Sequence, residues 1–216
     1  FENATRILIR EGANSNIQDV DGNTPLLWVA MSRADPTDHL PCKIKYLERS
    51  DVTIRISRAL LQNGADTNIA NTGGLVALNA CSRIGDVEMI EMLLDNKATL
   101  DTQDSVGVTA LMSAAYGNHF ETCKLLINYG ADVNYYNNNQ KATALTAAIE
   151  KNNIDIVKLL VASGADLEHV SFSTTIKDPI FINPNDMLKG DAKEIACAHH
   201  HKEIERYLEQ HLENEE

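Results

Sequence analysis

Thr109-Ala110-Leu111-Met112-Ser113-Ala114-Ala115, followed twenty-one residues after its threonine by Gly130-Ala131-Asp132-Val133-Asn134, decides the fold of this chain. The second element recurs as Gly12-Ala13-Asn14-Ser15-Asn16, Gly64-Ala65-Asp66-Thr67-Asn68, Lys97-Ala98-Thr99-Leu100-Asp101 and Gly164-Ala165-Asp166-Leu167-Glu168. In chain order the first residues of the five copies are 52, 33, 33 and 34 positions apart. A fixed period of this length marks a repeat architecture. One such unit cannot bury its apolar face alone, so units must stack, and stacking produces an extended surface.

The chain has 216 residues, 44% of them hydrophobic, enough for a continuous core in one elongated domain. A net charge of −12 argues against nucleic acid or an anionic membrane as direct partner and favours a basic one. Four cysteines (Cys42, Cys81, Cys123, Cys197) are widely separated, with neither C-x-x-C nor disulfide-framework spacing. Three occupy helix positions, where cysteine is expected as a small core residue. A reducing, cytoplasmic setting follows as the expectation. No apolar run has the length of a membrane span, and no signal segment is visible.

The chain opens at Phe1 inside a helical pattern (Ala4, Ile7, Leu8), opposite His119 when Gly12 is aligned with Gly130. The helix that should precede it is missing, as in a fragment or a chain lacking its true start, which leaves Ile7 and Leu8 uncovered. The partial first repeat covers 1–18. Repeat two, 19–70, opens at Asp21-Gly22-Asn23-Thr24-Pro25-Leu26-Leu27, with Pro25 suited to a helix first turn. An insertion at 34–50 explains its excess length, and Gly64 is the expected left-handed helix stop. Repeats three (71–103), four (104–136) and five (137–169) are nearly regular. Their second helices carry apolar residues three and seven apart: Val87, Ile90, Leu94; Phe120, Cys123, Ile127; Ile154, Val157, Val161. From 170 to 185 the period breaks. Val170 to Ile176 is β-branched, Lys177-Asp178-Pro179 reads as a turn and Ile180-Phe181-Ile182 as a returning strand, an extended hairpin finger. A C-terminal capping repeat, 186–216, places Ile204, Tyr207 and Leu208 inside and Glu203, Glu205, Arg206 and Glu209 outside.

The period of 33 with Thr24-Pro25-Leu26-Leu27, Thr109-Ala110-Leu111 and Thr143-Ala144-Leu145 as openings resembles the ankyrin repeat. The family's histidine after that leucine is replaced by Leu27, Asn79, Met112 and Thr146; in repeat three Thr-Pro becomes Val76-Ala77 and Gly becomes Lys97. The resemblance implies an all-α solenoid of stacked helix pairs with short β-hairpin fingers. It also implies a concave groove, lined by fingers and first helices, that grips another protein. Groove positions that match are Asp21, Asn23, Met31, Arg83, Gln103, Val106, Tyr116, Tyr136, Asn138 and Glu150. Among them Arg83, Tyr116 and Tyr136 are the residue types that dominate interface energies. Phe172 and Phe181 of the long finger either cover the junction with the cap or meet a partner.

Other features read as structural. Cys197-Ala198-His199-His200-His201 puts cysteine and histidine four apart, but zinc needs further ligands and no second cluster follows. His201 aligns with His119, the ordinary histidine opening a second helix. No catalytic or phosphate-binding motif is present, so neither enzyme activity nor a cofactor is expected. Trp28 takes the place of a buried leucine. Of Tyr135-Tyr136, one ring should pack and the other stay exposed. Ile44, Tyr46 and Leu47 of the insertion fold back over the helices or form a second contact site. In the ankyrin family an asparagine placed like Asn134 can be hydroxylated by an oxygenase; here the expectation is a hydrogen bond to backbone. The leading expectation is a protein-binding scaffold or adaptor. The alternative is an inhibitor or immunity-type protein that neutralises a basic partner such as a nuclease.

Overall fold

The computed structural model describes residues 2–34, 51–137, 142–167, 170–173 and 187–212. Its elements are α1 (Glu2–Arg10), α2 (Pro25–Ala34), α3 (Asp51–Gln62), α4 (Ala77–Ser82), α5 (Val87–Asp95), α6 (Ala110–Tyr116) and α7 (Phe120–Asn128). They are followed by α8 (Ala144–Glu150), α9 (Ile154–Ala162), β1 (Val170–Ser173), β2 (Met187–Gly190), α10 (Ala192–Ala198) and α11 (Lys202–Leu212). Helices pack as pairs (α2 with α3, α4 with α5, α6 with α7, α8 with α9, α10 with α11), and each first helix packs on the next: α2 on α4, α4 on α6, α6 on α8, α8 on α10. This is the all-α solenoid that the period implies. α2 and α3 flank 35–50, so the insertion's apolar residues lie outside the described residues.

Two columns of aligned residues hold the stack. Leu26, Leu78, Leu111 and Leu145 come from the first helices; Leu60, Leu93, Leu126, Leu160 and Leu208 from the second; none is more than 3% exposed. In α10, where Lys193 stands at the leucine position, Ile195 is the buried residue. Alanine and cysteine beside the first column (Ala80, Cys81, Ala114, Ala115, Ala148) are fully buried and let neighbouring helices approach closely. The buried stripe of the second helices is centred on Ile90–Leu93, Cys123–Leu126 and Val157–Leu160, not on the outer residues expected from sequence. Phe120 is 37% exposed, because the rim of a stripe more than a residue wide leans away from the first helices. Ile7 and Leu8 are each 60% exposed on α1.

Helix ends follow local chemistry. The hydroxyls of Thr24, Thr109 and Thr143 accept hydrogen bonds from the amides of Leu27, Met112 and Thr146, satisfying free N–H groups of the first turn. Val76 stands at this position in repeat three and supplies no side-chain cap. Gly64 closes α3 at φ 80°, and Lys97 adopts the same left-handed region at φ 67° where its neighbours in the repeat use glycine.

In the first four glycine–alanine elements the last residue ties one repeat to the next. Asn16 donates to the Gly64 carbonyl and accepts from the Asp66 amide; Asn68 does the same with Lys97 and Thr99, and Asn134 with Gly164 and Asp166. Both polar ends of Asn134 are thus engaged, in line with a backbone-binding role. At the equivalent place Asp101 only accepts, from the Asp132 amide at 3.3 Å. A carboxylate lacks the N–H that the other joints give to the facing carbonyl. Burial, with Asp132 close by, raises the Asp101 carboxyl above its ordinary range.

Several expectations need correcting. β1 pairs antiparallel with β2, Val170 opposite Gly190 and Ser173 opposite Met187. The described partner of β1 is thus Met187–Gly190, a strand that sequence reading did not expect, while Ile180–Ile182 lie outside the described residues. The base of the finger, where both strands leave the helical stack, makes the described ladder. Its middle, with Phe181, lies outside the described residues. Trp28 is only half-buried: Leu26, Leu27 and Ala30 take the core side of α2, and the Trp28 indole donates to Asp19 at 2.7 Å. Cys197 is exposed, because α10 buries Ala192, Ile195 and Ala196. Cys81 and Cys123 are buried, and burial pushes the Cys123 thiol up to about 12.

Two substitutions test this scaffold. Leu111→Ala should cost about 2–5 kcal/mol in denaturant unfolding, the range for a buried leucine. Asp101→Asn should stabilise by about 0.5–1.5 kcal/mol, the net worth of one added hydrogen bond. A loss of stability for the second variant would contradict the hydrogen-bond ties as drawn.

Candidate functional site

The candidate site is the face shared by the fingers and the C-terminal ends of the first helices. The fingers of repeats two, three and four are each built on one side chain. Asp19 accepts from the amides of Asp21 and Asn23, Asn71 from Gly73 and Leu75, and Asp104 from Val106 and Val108. A carboxylate or carboxamide oxygen that takes two amides closes the turn around itself. The Asn23 amide is the largest of the effects that hold the Asp19 carboxyl below its ordinary range. Gly74 sits at φ 72°, where an added Cβ would lie 2.8 Å from the Ser105 amide nitrogen of the next finger. Repeat five is one residue longer in its finger: Asn137 pairs with Ala142, where Asp104 pairs with Val108.

Fingers are tied to one another as well. The Thr72 amide donates to the Asp21 carbonyl and the Ser105 amide to the Gly73 carbonyl, both at 2.9 Å. Asn71 donates to the Asn23 side chain, Asn137 to the Val106 carbonyl, and buried Asn79 to the carbonyls of Thr102 and Val108. The backbone polar groups of this face are thereby largely consumed within the protein, which leaves side chains to meet a partner.

The ends of the first helices in repeats three and four are pegged by the second helix of the next repeat. His119 opens α7, and its Nε2 lies 3.0 Å from the Arg83 carbonyl. Its ring fills the space where a Cβ on Gly85 or Gly117 would stand, at 2.5 and 2.6 Å. Asn153 opens α9 and donates to the Ala115 carbonyl at 2.7 Å, next to Tyr116. His201 holds the same position before α11, yet its buried Nε2 has no hydrogen-bond partner among the described residues.

Met31, Arg83, Tyr116 and Glu150 occupy equivalent positions in four successive repeats. Arg83 is exposed, Tyr116 half-buried and Glu150 half-buried, while Met31 packs partly into the core. On the fingers Asp21 is exposed, Gln103 and Val106 are half-buried, and Tyr136 is 38% exposed beside the packed Tyr135. Asn23 is a correction: at 6% exposure it belongs to the finger ladder and has no free surface for a partner. Asn138 and Phe181 lie outside the described residues; Phe172 stands on β1 opposite Leu188. Sequence reading missed Lys151, whose Nζ lies 4.0 Å from the centre of the Tyr116 ring, a cation–π contact between neighbouring repeats. Its only signal was a lysine one position past the groove row. His199 and His201 stack at 5.7 Å, and among the described residues no group of three His, Cys, Asp or Glu side chains is placed to hold a metal ion.

Burial pushes the Glu150 carboxyl from the ordinary 4.5 up to about 7, partly offset by Lys151. The folded state therefore holds this proton more tightly than the unfolded chain. The contribution to stability is full below about 4.5 and declines as the pH rises to about 7. Thermal unfolding of wild type and Glu150→Gln across that window should show wild type losing ground to the variant as pH rises. Parallel curves would contradict a half-buried, poorly solvated carboxylate.

Comparison with known proteins agrees with this geometry. The family model for ankyrin repeats in three copies matches residues 51–137 and 77–171, together more than half of the chain. An ankyrin repeat and KH domain-containing protein of Caenorhabditis briggsae is 30% identical over 89 residues, 40% of this chain and 3% of that protein. Ankyrin repeat and SAM domain-containing protein 6 of Mus musculus is 40% identical over 67 residues, 31% of this chain and 8% of that protein. Potassium channel AKT2/3 of Arabidopsis thaliana is 29% identical over 143 residues, 66% of this chain and 15% of the channel. This chain thus spans a small part of the length of each of these relatives. With the stacked pairs, the linked fingers and the repeat period, the match shows that the chain belongs to the ankyrin-repeat family.

Proposed function

We propose that this chain is a scaffold or adaptor module that holds a partner protein in its groove, with Arg83, Tyr116 and Tyr136 as the main contacts. Ankyrin repeats are generally protein–protein interaction modules, typically without catalysis, and the relatives carry them beside quite different regions. The supporting observation is a row of large side chains, Arg83, Tyr116 and Glu150, the first two mounted on helix ends that His119 and Asn153 hold fixed. Tyrosine and arginine on a rigid support lose little conformational entropy on binding. Gln103, Val106 and Asp21 supply the finger side of the same groove.

A net charge of −12 favours a basic partner by long-range attraction. The same charge would serve an inhibitor that neutralises a basic protein through this face. The reduced, buried Cys81 and Cys123 suit a cytoplasmic setting, and no described helix is long and apolar enough to cross a membrane. Once a partner is in hand, Tyr116→Ala with Tyr136→Ala should weaken it by more than about tenfold, the scale of interface hot spots, with unfolding little changed. Calorimetry that finds the affinity intact would move the binding site off this face.

A further inference from the structure

Glu150 is the last residue of α8, one repeat beyond Tyr116 in the groove row. Its carboxylate is half-buried, and among the described residues it takes no hydrogen bond and no ion pair. The neighbouring cation is already engaged: the Lys151 ammonium lies 4.0 Å from the centre of the Tyr116 ring rather than in an ion pair with Glu150. The peg that fixes the equivalent helix ends in repeats three and four also has no counterpart here, since the His201 Nε2 is without a partner. The row therefore presents an aromatic ring whose face is occupied by a cation and, next to it, a carboxylate that this cation only partly stabilises and that has no ion pair among the described residues.

We propose that Glu150 selects the partner's charge: the bound protein segment places a lysine or arginine side chain on the Glu150 carboxylate, beside the Tyr116–Lys151 pair. The proposal rests on the groove reading given above. Above about pH 7, where the group is ionised, desolvating an unpaired carboxylate further is costly, so a segment with an apolar or acidic residue at this point is rejected. A cation turns the same group into an attraction, and guanidinium adds two parallel hydrogen bonds. Burial, which already makes the proton hard to remove from this carboxyl, makes the contrast between cationic and neutral partners larger than on an open surface. The acidic chain as a whole supplies the approach, and Glu150 the register.

The test uses the full chain as bait for a random-peptide display library, with Tyr116→Ala/Tyr136→Ala and Glu150→Gln as parallel baits. Peptides that depend on the two tyrosines should share one basic position. Replacing that lysine or arginine by glutamine should weaken binding to wild type by about tenfold or more, the scale of a close charge pair. On Glu150→Gln the same replacement should change affinity less than about twofold, a non-additivity that isolates the pair. Equal losses on both baits, or tyrosine-dependent peptides without a shared basic position, overturn the assignment to Glu150 and leave the groove reading standing. Selected peptides indifferent to the two tyrosines, or no selected peptide at all, overturn the groove reading and this inference with it. Circular dichroism of each bait confirms that the comparison is between folded proteins.

Discussion

Every helix pair between the ends of the described stack is apolar towards both of its neighbours, so no such repeat is stable alone and the stack must form as a whole. The leucine columns from Leu26 to Leu145 and from Leu60 to Leu208 carry this constraint. Because they run the length of the molecule, the spacing between repeats is set by close packing of side chains, not by the loops. The fingers then fall within hydrogen-bond distance of one another, and their ties (Thr72 to Asp21, Ser105 to Gly73) are a consequence of stacking that in turn stiffens it.

Function follows from the same arrangement. A repeat that spends its leucines on its neighbours and its finger backbone on the next finger has only a few free positions left. They fall at the ends of the first helices and along the fingers, where Arg83, Tyr116, Tyr136 and Glu150 stand. His119 and Asn153 belong to second helices, yet they set where Arg83 and Tyr116 are presented. The groove is therefore a property of neighbouring pairs of repeats. A substitution at His119 acts on Arg83 through the backbone that both share.

Much of this was legible in the sequence because it is periodic. The glycine–alanine element, the threonine caps and the buried leucines each recur at the period of the unit, and repetition separates a rule from an accident. What was illegible depends on contacts that do not repeat. Lys151 finds Tyr116 in the preceding repeat, a pairing that exists only once. Asn23 reads as a groove residue by position, but its amide group is consumed by Asp19 and Asn71. Trp28 reads as taking the place of a buried leucine; Leu26 already holds that place, and Asp19 offers the indole a partner. The strand Met187–Gly190 lacks the β-branched pattern that marks Val170 to Ile176, so its pairing with β1 had no signal of its own. Asp101 was read as one more copy of the element, although replacing an amide by a carboxylate removes the donor that closes the joint.

Hydrogen exchange on the finger amides puts the stack itself to the test. The amides of Thr72 and Ser105 sit in surface turns, where exchange is ordinarily fast, but here each donates to the neighbouring finger. If the repeats form one cooperative array, these amides should exchange only in the opening that also exposes the amides of α6, with protection approaching the free energy of global unfolding. Exchange of Thr72 and Ser105 at the rate of free loop amides, with α6 still protected, would mean that the fingers move independently and that no fixed groove exists.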